Sequence, residues 1–228
     1  MSGAPRRAVE RAEAALARID ALDSGRITAA VLVGSAVLGD WREDNSDIDL
    51  LVVADGPVPP AVREAWSRSS RADLSIAEPD GPPAGDLGLA VALRTAAQCG
   101  HVLRGQPPPA LEQDGLNILL EDNLATYWKP WLDRAKARRL GGPTAAMFTS
   151  FGAVWVLGGI GRIRSSLADG RIVSKREALN QALARLPDHR AILNEAARLR
   201  GGAAPRLGRL ERRRLALACA DDLLARRW

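Results

Sequence analysis

The chain of 228 residues has two cysteines, two histidines, two phenylalanines and one tyrosine. Cys99 and Cys219 sit in apolar, helix-like surroundings and read as buried thiols. They form no disulfide framework, and with two histidines they make a poor zinc set. No apolar run reaches the length of a membrane span. Residues 1–22 mix Arg with Glu and lack a signal-peptide core, so a cytoplasmic protein without a membrane partner is expected. No internal repeat is visible. Apolar residues make up 46% of the chain, enough for a core, and six of the few aromatics are Trp. The net charge of +5 and pI of about 10.0 suit an anionic ligand such as a nucleoside triphosphate.

In chain order, Val9, Ala12, Leu16, Ile19 and Leu22 recur at helical spacing, which predicts a helix over 5–22. A strand over 27–33 follows. A second strand is expected over 48–53, a helix over 60–70 and a third strand over 71–77. A Pro/Gly loop occupies 79–85, and an Ala-rich buried helix is expected over 86–103. Gly105-Gln106-Pro107-Pro108-Pro109 cannot continue a helix. Beyond it the period is helical: about 114–138, 143–169, 174–185, 188–199 and 206–227. Gly141-Gly142-Pro143 separates the first two of these. The layout is an α/β domain followed by an all-helical one.

Chemistry concentrates in Gly34-Ser35-Ala36-Val37-Leu38-Gly39-Asp40 and Ser46-Asp47-Ile48-Asp49. The expected order is strand, tight turn, short helix, loop, strand. Side chains two apart on a strand share a face, so Asp47 and Asp49 aim two carboxylates at one point. Paired hard oxygens favour Mg²⁺. N–H groups at a helix start favour phosphate. Gly34 keeps the turn free of side-chain bulk, and Ser35 can hydrogen-bond phosphate oxygens. Ser46 either does the same or caps the loop. Asp73, on the third strand, is a third carboxylate, or else a strand-end residue capping a turn. Asp44, Asp80 and Asp86 lie outside strand-like runs.

Gly-Ser, about ten residues, then Ser-Asp-x-Asp before an apolar strand resembles the signature of the DNA polymerase β-type nucleotidyltransferases. The second half carries Val154-Trp155-Val156-Leu157, Arg162-Ile163-Arg164, Gly170-Arg171-Ile172-Val173-Ser174-Lys175-Arg176-Glu177-Ala178 and Ala184-Arg185-Leu186-Pro187. This resembles the helical domain of the streptomycin/spectinomycin adenylyltransferases, and Ala72-Asp73-Leu74-Ser75 and Tyr127-Trp128 extend the likeness.

The resemblance implies an α+β chain. A polymerase β-like domain with a mixed sheet and flanking helices would span 1–106. A helical bundle over 107–228 would close the active-site cleft. It implies ATP as co-substrate, two Mg²⁺ ions, and a cationic aminoglycoside as acceptor, in an antibiotic-resistance enzyme. Asp47, Asp49 and Asp73 would hold the metal and perform catalysis. Asp73 stands where the family has a catalytic Glu. Gly34, Ser35, Ser46, Arg162 and Lys175 would bind the nucleotide, and Trp128, Asp133 and Asp86 the acceptor. Trp128 is read equally as a core residue.

The sequence departs from the family in its short loop over 78–85. It also has Gly88 where an acidic residue is expected, with Asp86 nearby, and a longer stretch over 134–152. Acceptors other than aminoglycosides, and a non-catalytic antitoxin-like module, are the alternatives. A monomer is expected. Arg206, Arg209, Arg212, Arg213, Arg214, Arg226 and Arg227 read as the solvated face of an amphipathic helix, and nucleic acid is not the expected partner.

Overall fold

Successive residues of the first strands are mostly buried but join different apolar clusters, which fixes the first half of the fold. Ile48, Leu50, Val52 and Ala54 join one apolar cluster, whereas Leu51 joins another. The sheet is therefore covered on both faces. This computed structural model describes residues 3–23, 25–79, 85–107, 109, 111–137, 149–226 and 228. Most of the expected 79–85 loop (with Asp80), position 138, the break at 141–143, positions 143–148 and Arg227 lie outside the described residues. The chain divides into two compact units, Met1–Leu116 and Asn117–Trp228.

In the first unit the sheet order is β3-β2-β1-β4. The strands are β1 (Ile27–Val33), β2 (Asp49–Ala54), β3 (Asp73–Ala77) and β4 (His101–Arg104). β1 runs antiparallel to β2 and β4, and β2 parallel to β3. The sheet is thus mixed, as expected for this α+β chain. Helices α1 (Arg6–Asp20) and α2 (Pro60–Ser70) cover one face. Ala8, Ala12, Ala15, Leu16 and Ile19 of α1 pack there with the fully buried Trp66 of α2. Helix α3 (Leu87–Cys99) covers the other face through Leu89, Ala92, Leu93 and Ala96, against Val31, Val33, Leu51 and Ala77.

Two local expectations change. The helix expected over 86–103 ends at Cys99, and His101–Arg104 forms β4 instead. Four residues are too few to show a period of two, and strand pairing with β1 decides their state. Arg104 also donates to Asp20 Oδ1 at 2.8 Å and pairs with Oδ2 at 2.5 Å, fastening this edge strand to α1. The short helix expected after the first strand is a single 3-10 turn, Gly34–Ala36.

The second unit is helical. Helix α4 (Gln113–Asn123) starts just before the boundary and continues through a π-turn (Leu124–Trp128) into α5 (Lys129–Ala137). Helices α6 (Ser150–Asp169), α7 (Lys175–Arg185), α8 (Arg190–Arg200) and α9 (Arg209–Ala225) follow. Thr149 caps α6 by accepting from Gly152 N, and Ser174 caps α7 by accepting from Glu177 N. Helix α6 packs against α7, α8 and α9.

Arg206, Arg209, Arg214 and Arg226 are exposed, as expected of a solvated face, whereas three other arginines of this unit are less solvated than their pattern implies. Arg212 is buried and donates to Leu207 O at 2.9 Å, and Arg213 donates to Ala135 O at 2.7 Å. Arg164 donates to Leu223 O at 2.9 Å and to Leu224 O, satisfying carbonyls near the end of α9. Among the described residues, no helix is long and apolar enough to cross a membrane.

Candidate active site

The sheet face under α3 carries carboxylates at one end. Asp49 and Asp73 are direct partners in the parallel β2–β3 register, so their side chains leave the same face on adjacent strands. The Asp73 N–H donates to Ile48 O at 2.8 Å, which fixes the start of β3 beside the start of β2. Asp47 precedes β2 and lies in the loop, so strand alternation places Asp49 but not Asp47. Asp47 nevertheless comes near Asp73. Partial desolvation at the sheet end raises the Asp73 carboxyl above its ordinary value although the residue as a whole is exposed, and the charge of Asp47 raises it further. Asp47 and Asp73 are exposed and Asp49 is half-buried.

The Gly34–Ala36 turn is built against this group. Val33 pairs with Asp49 across the antiparallel ladder. Gly34 follows with φ of 65°, and a Cβ there would overlap the Asp49 carboxylate. A side chain at 34 would be both strained and blocked, so glycine is required. Leu38 N donates to Gly34 O at 3.1 Å and Asp40 N to Ser35 O at 3.0 Å, closing the turn around the half-buried Ser35. Three residues of 3-10 turn carry little macrodipole, so phosphate affinity here would come from local N–H groups. Ser46 takes the capping role: its Oγ accepts from Arg42 N at 2.9 Å. Asp40, given no role in the sequence reading, is buried where this turn closes. Its only signal there is its place as the last residue of the Gly34–Asp40 stretch.

Among the described residues, no group of three or more His, Cys, Asp or Glu side chains is arranged to hold a metal ion. The oxygen donors nevertheless fit Mg²⁺, which takes one or two carboxylates and completes its shell with water and substrate phosphates.

The remaining candidates have local partners or neighbours. Asp86 caps α3, accepting from Leu89 N at 2.9 Å. In the second unit, Trp128 is 6% exposed. Its ring lies 4.7 Å from Trp155, 5.2 Å from Tyr127 and 6.1 Å from Trp131. A Cβ at Gly159 would come within 2.7 Å of the same ring, so α6 needs glycine there. Asp133 holds Lys129 Nζ at 2.6 and 2.8 Å. The Lys175 stem lies over Gly158, and Arg162 is half-buried on α6.

A family model described as a nucleotidyltransferase domain matches residues 14–76, a span that includes Gly34, Ser35, Asp47, Asp49 and Asp73. A comparison with curated proteins gives no match. Among solved structures, the chain is similar to the spectinomycin adenyltransferase AAD(9) from Enterococcus faecialis, solved with ATP and spectinomycin. The TM-score is 0.68 at 15% identity, over 96% of this chain and 99% of that one. A toxin-antitoxin structure with AMP-PNP matches at a TM-score of 0.30 and 16% identity, over 54% of this chain and 92% of that one. The MntA-HepT toxin-antitoxin structure matches at 0.26 and 13%, over 54% and 89%. The first likeness establishes the fold, and the other two are too remote to bear on this chain.

Proposed function

We propose, from the premise that this chain carries a nucleotidyltransferase domain, that it transfers AMP from Mg-ATP to a hydroxyl of a streptomycin- or spectinomycin-type aminoglycoside. The observation that carries this reading is the meeting of Asp49 and Asp73 on adjacent strands, with Asp47 close by and the Gly34 turn packed against Asp49.

Asp47 and Asp49 would hold the metal, with Asp73 beside them. Mg²⁺ supplies charge neutralisation for the entering and leaving oxygens. Gly34 and Ser35 would hold the phosphates against the turn. Arg162 and Lys175 are assigned to the triphosphate, since cations of both kinds bind phosphate oxygens. Asp73 takes the proton of the acceptor hydroxyl as the new oxygen–phosphorus bond forms at the α-phosphate. The bond from the α-phosphorus to the leaving pyrophosphate breaks in the same transfer. Trp128 and Asp133 are assigned to the cationic acceptor, with Asp86 near them in role.

A second reading keeps the transfer and changes the acceptor to another small molecule. The burial of Trp128 and the Lys129–Asp133 ion pair favour it, because both residues already have structural partners. Mass spectrometry of an aminoglycoside panel incubated with the chain and Mg-ATP separates the two. A mass gain of one adenylyl group on any drug supports the first reading. No gain on any drug, with pyrophosphate still released when a metabolite mixture is supplied, supports the second.

A further inference from the structure

The side of the first unit opposite the carboxylate face carries a basic feature that the transfer reaction does not use. A cavity of about 580 Å³ opens between α1 and the turn after α2, and Arg7, Arg11, Arg18 and Arg71 line it with Glu10 and Glu43. Arg7, Arg11 and Arg18 recur at helical spacing and form one stripe of α1. The two carboxylates are already neutralised: Glu10 by Arg6 at 2.7 Å and Glu43 by Arg7. Among the described residues, Arg11, Arg18 and Arg71 form no ion pair with a carboxylate. Arg11 donates to Glu43 O at 3.2 Å and stacks over Trp41, and Arg18 donates to Ser70 O at 3.0 Å. These contacts orient both groups without cancelling their charge.

Arg71 is the most informative member. It has φ of 56°, the one non-glycine residue with positive φ among those described. This left-handed conformation ends α2 at its C-cap and turns the chain toward β3. Its guanidinium has no hydrogen-bond or ion-pair partner among the described residues. Ile48 lies on the cavity wall and belongs to the cluster under α1 and α2, whereas Asp49 faces the α3 side. The cavity is therefore separate from the carboxylate group, yet linked to it through Ile48 and through Arg71, two residues before Asp73.

We propose that this cavity is a second anion site, which takes a compact phosphate-bearing anion: free pyrophosphate or polyphosphate, or the phosphate chain of a nucleotide. Its volume lies within the range of small-molecule sites. Guanidiniums converging on one concavity suit a compact polyanion, whereas a nucleic-acid backbone calls for an extended basic track.

The test uses the full chain carrying Asp47→Ala and Asp49→Ala, without divalent metal, so that binding at the carboxylate face is suppressed. Pyrophosphate and ATP are titrated separately by calorimetry. Saturable binding is expected, weakening as salt rises. Adding Arg71→Gly, which suits the observed φ, should weaken it by about tenfold, as expected for losing one charge-assisted contact. Arg11→Gln should act in the same direction, and Arg190→Ala, on α8, should leave binding unchanged. Equal affinities for the two probes assign the site to phosphate alone, and tighter ATP binding assigns it to a nucleotide. No saturable binding of either probe, equal binding by the Arg71→Gly and Arg190→Ala chains, or displacement of pyrophosphate by a single-stranded oligonucleotide at far lower concentration would overturn the proposal.

Discussion

The carboxylate face of the first unit and the aromatic cluster of the second both carry residues singled out by motif, and the two regions use them differently. Asp49 and Asp73 are set side by side by strand register, and Asp47 adds charge repulsion to that group. A fold gains no stability from bringing like charges together, so their arrangement calls for a ligand. Trp128 and Asp133 are the reverse case. Trp128 fills a core between three aromatic rings and Gly159, and Asp133 closes an ion pair within its own helix. A motif residue that already serves packing carries less weight for function than one placed at a cost to stability.

Four substitutions probe that contrast, in descending order of effect. Trp128→Ala should destabilise the second unit by about 3–4 kcal/mol, because it empties a packed aromatic site. Denaturant unfolding measures this, and a loss under 1 kcal/mol would show that Trp128 is not a core residue. Gly34→Ala should leave the fold standing but lower turnover by about 10²-fold, because the added Cβ displaces the Asp49 carboxylate. Steady-state pyrophosphate release, with circular dichroism as the fold control, is the measurement.

Glu195→Ala should cost about 2 kcal/mol at neutral pH, through donors left unsatisfied. Glu195 is buried and accepts from Arg206 N at 2.7 Å, Leu207 N at 3.1 Å and Arg198 Nη1 at 2.9 Å. Burial pushes its carboxyl up, but the two backbone N–H groups and Arg198 outweigh burial and hold it below its ordinary 4.5. The stability it contributes is therefore complete above that ordinary value and is lost as pH falls through the lowered one. Asp20, held down by Arg104, acts with the same sign in the first unit. Melting curves from pH 7 to pH 3 should show the wild type losing its advantage over Glu195→Ala as acid is added. Asp133→Asn should change stability least, by about 0.5 kcal/mol, since both partners of its ion pair are half exposed. If it raises KM for the acceptor at unchanged stability, Asp133 binds substrate despite Lys129, and the contrast between the two regions narrows.

The carboxylate face was legible in part: the strand pattern placed Asp49 and Asp73, but Asp47 lies in the loop before β2, where spacing of two carries no direction. Asp49 and Asp73 stand on strands at the places that their apolar neighbours predict. What escaped depended on contacts between distant segments. β4 exists because His101–Arg104 finds β1, and the collision that forbids a side chain at Gly34 involves a residue fifteen positions away. Arg164, Arg212 and Arg213 look like solvated charges in a one-dimensional reading, and only packing shows which carbonyls they reach. Trp128 was balanced between core and ligand by its pattern, and burial supplies the weight that the pattern lacks.

The central claim is that Asp47, Asp49 and Asp73 form a nucleotidyl-transfer centre. ATP labelled at the α-phosphate, and separately at the γ-phosphate, tests it when incubated with the chain, Mg²⁺, and a mixture of aminoglycosides and small metabolites. The account predicts that the α label appears on an acceptor and the γ label in pyrophosphate. It also predicts that Asp47→Asn lowers both by about 10³-fold, the scale of losing a group that stabilises transition-state charge. Transfer of the γ label to an acceptor, or α-label transfer that Asp47→Asn leaves intact, would contradict it.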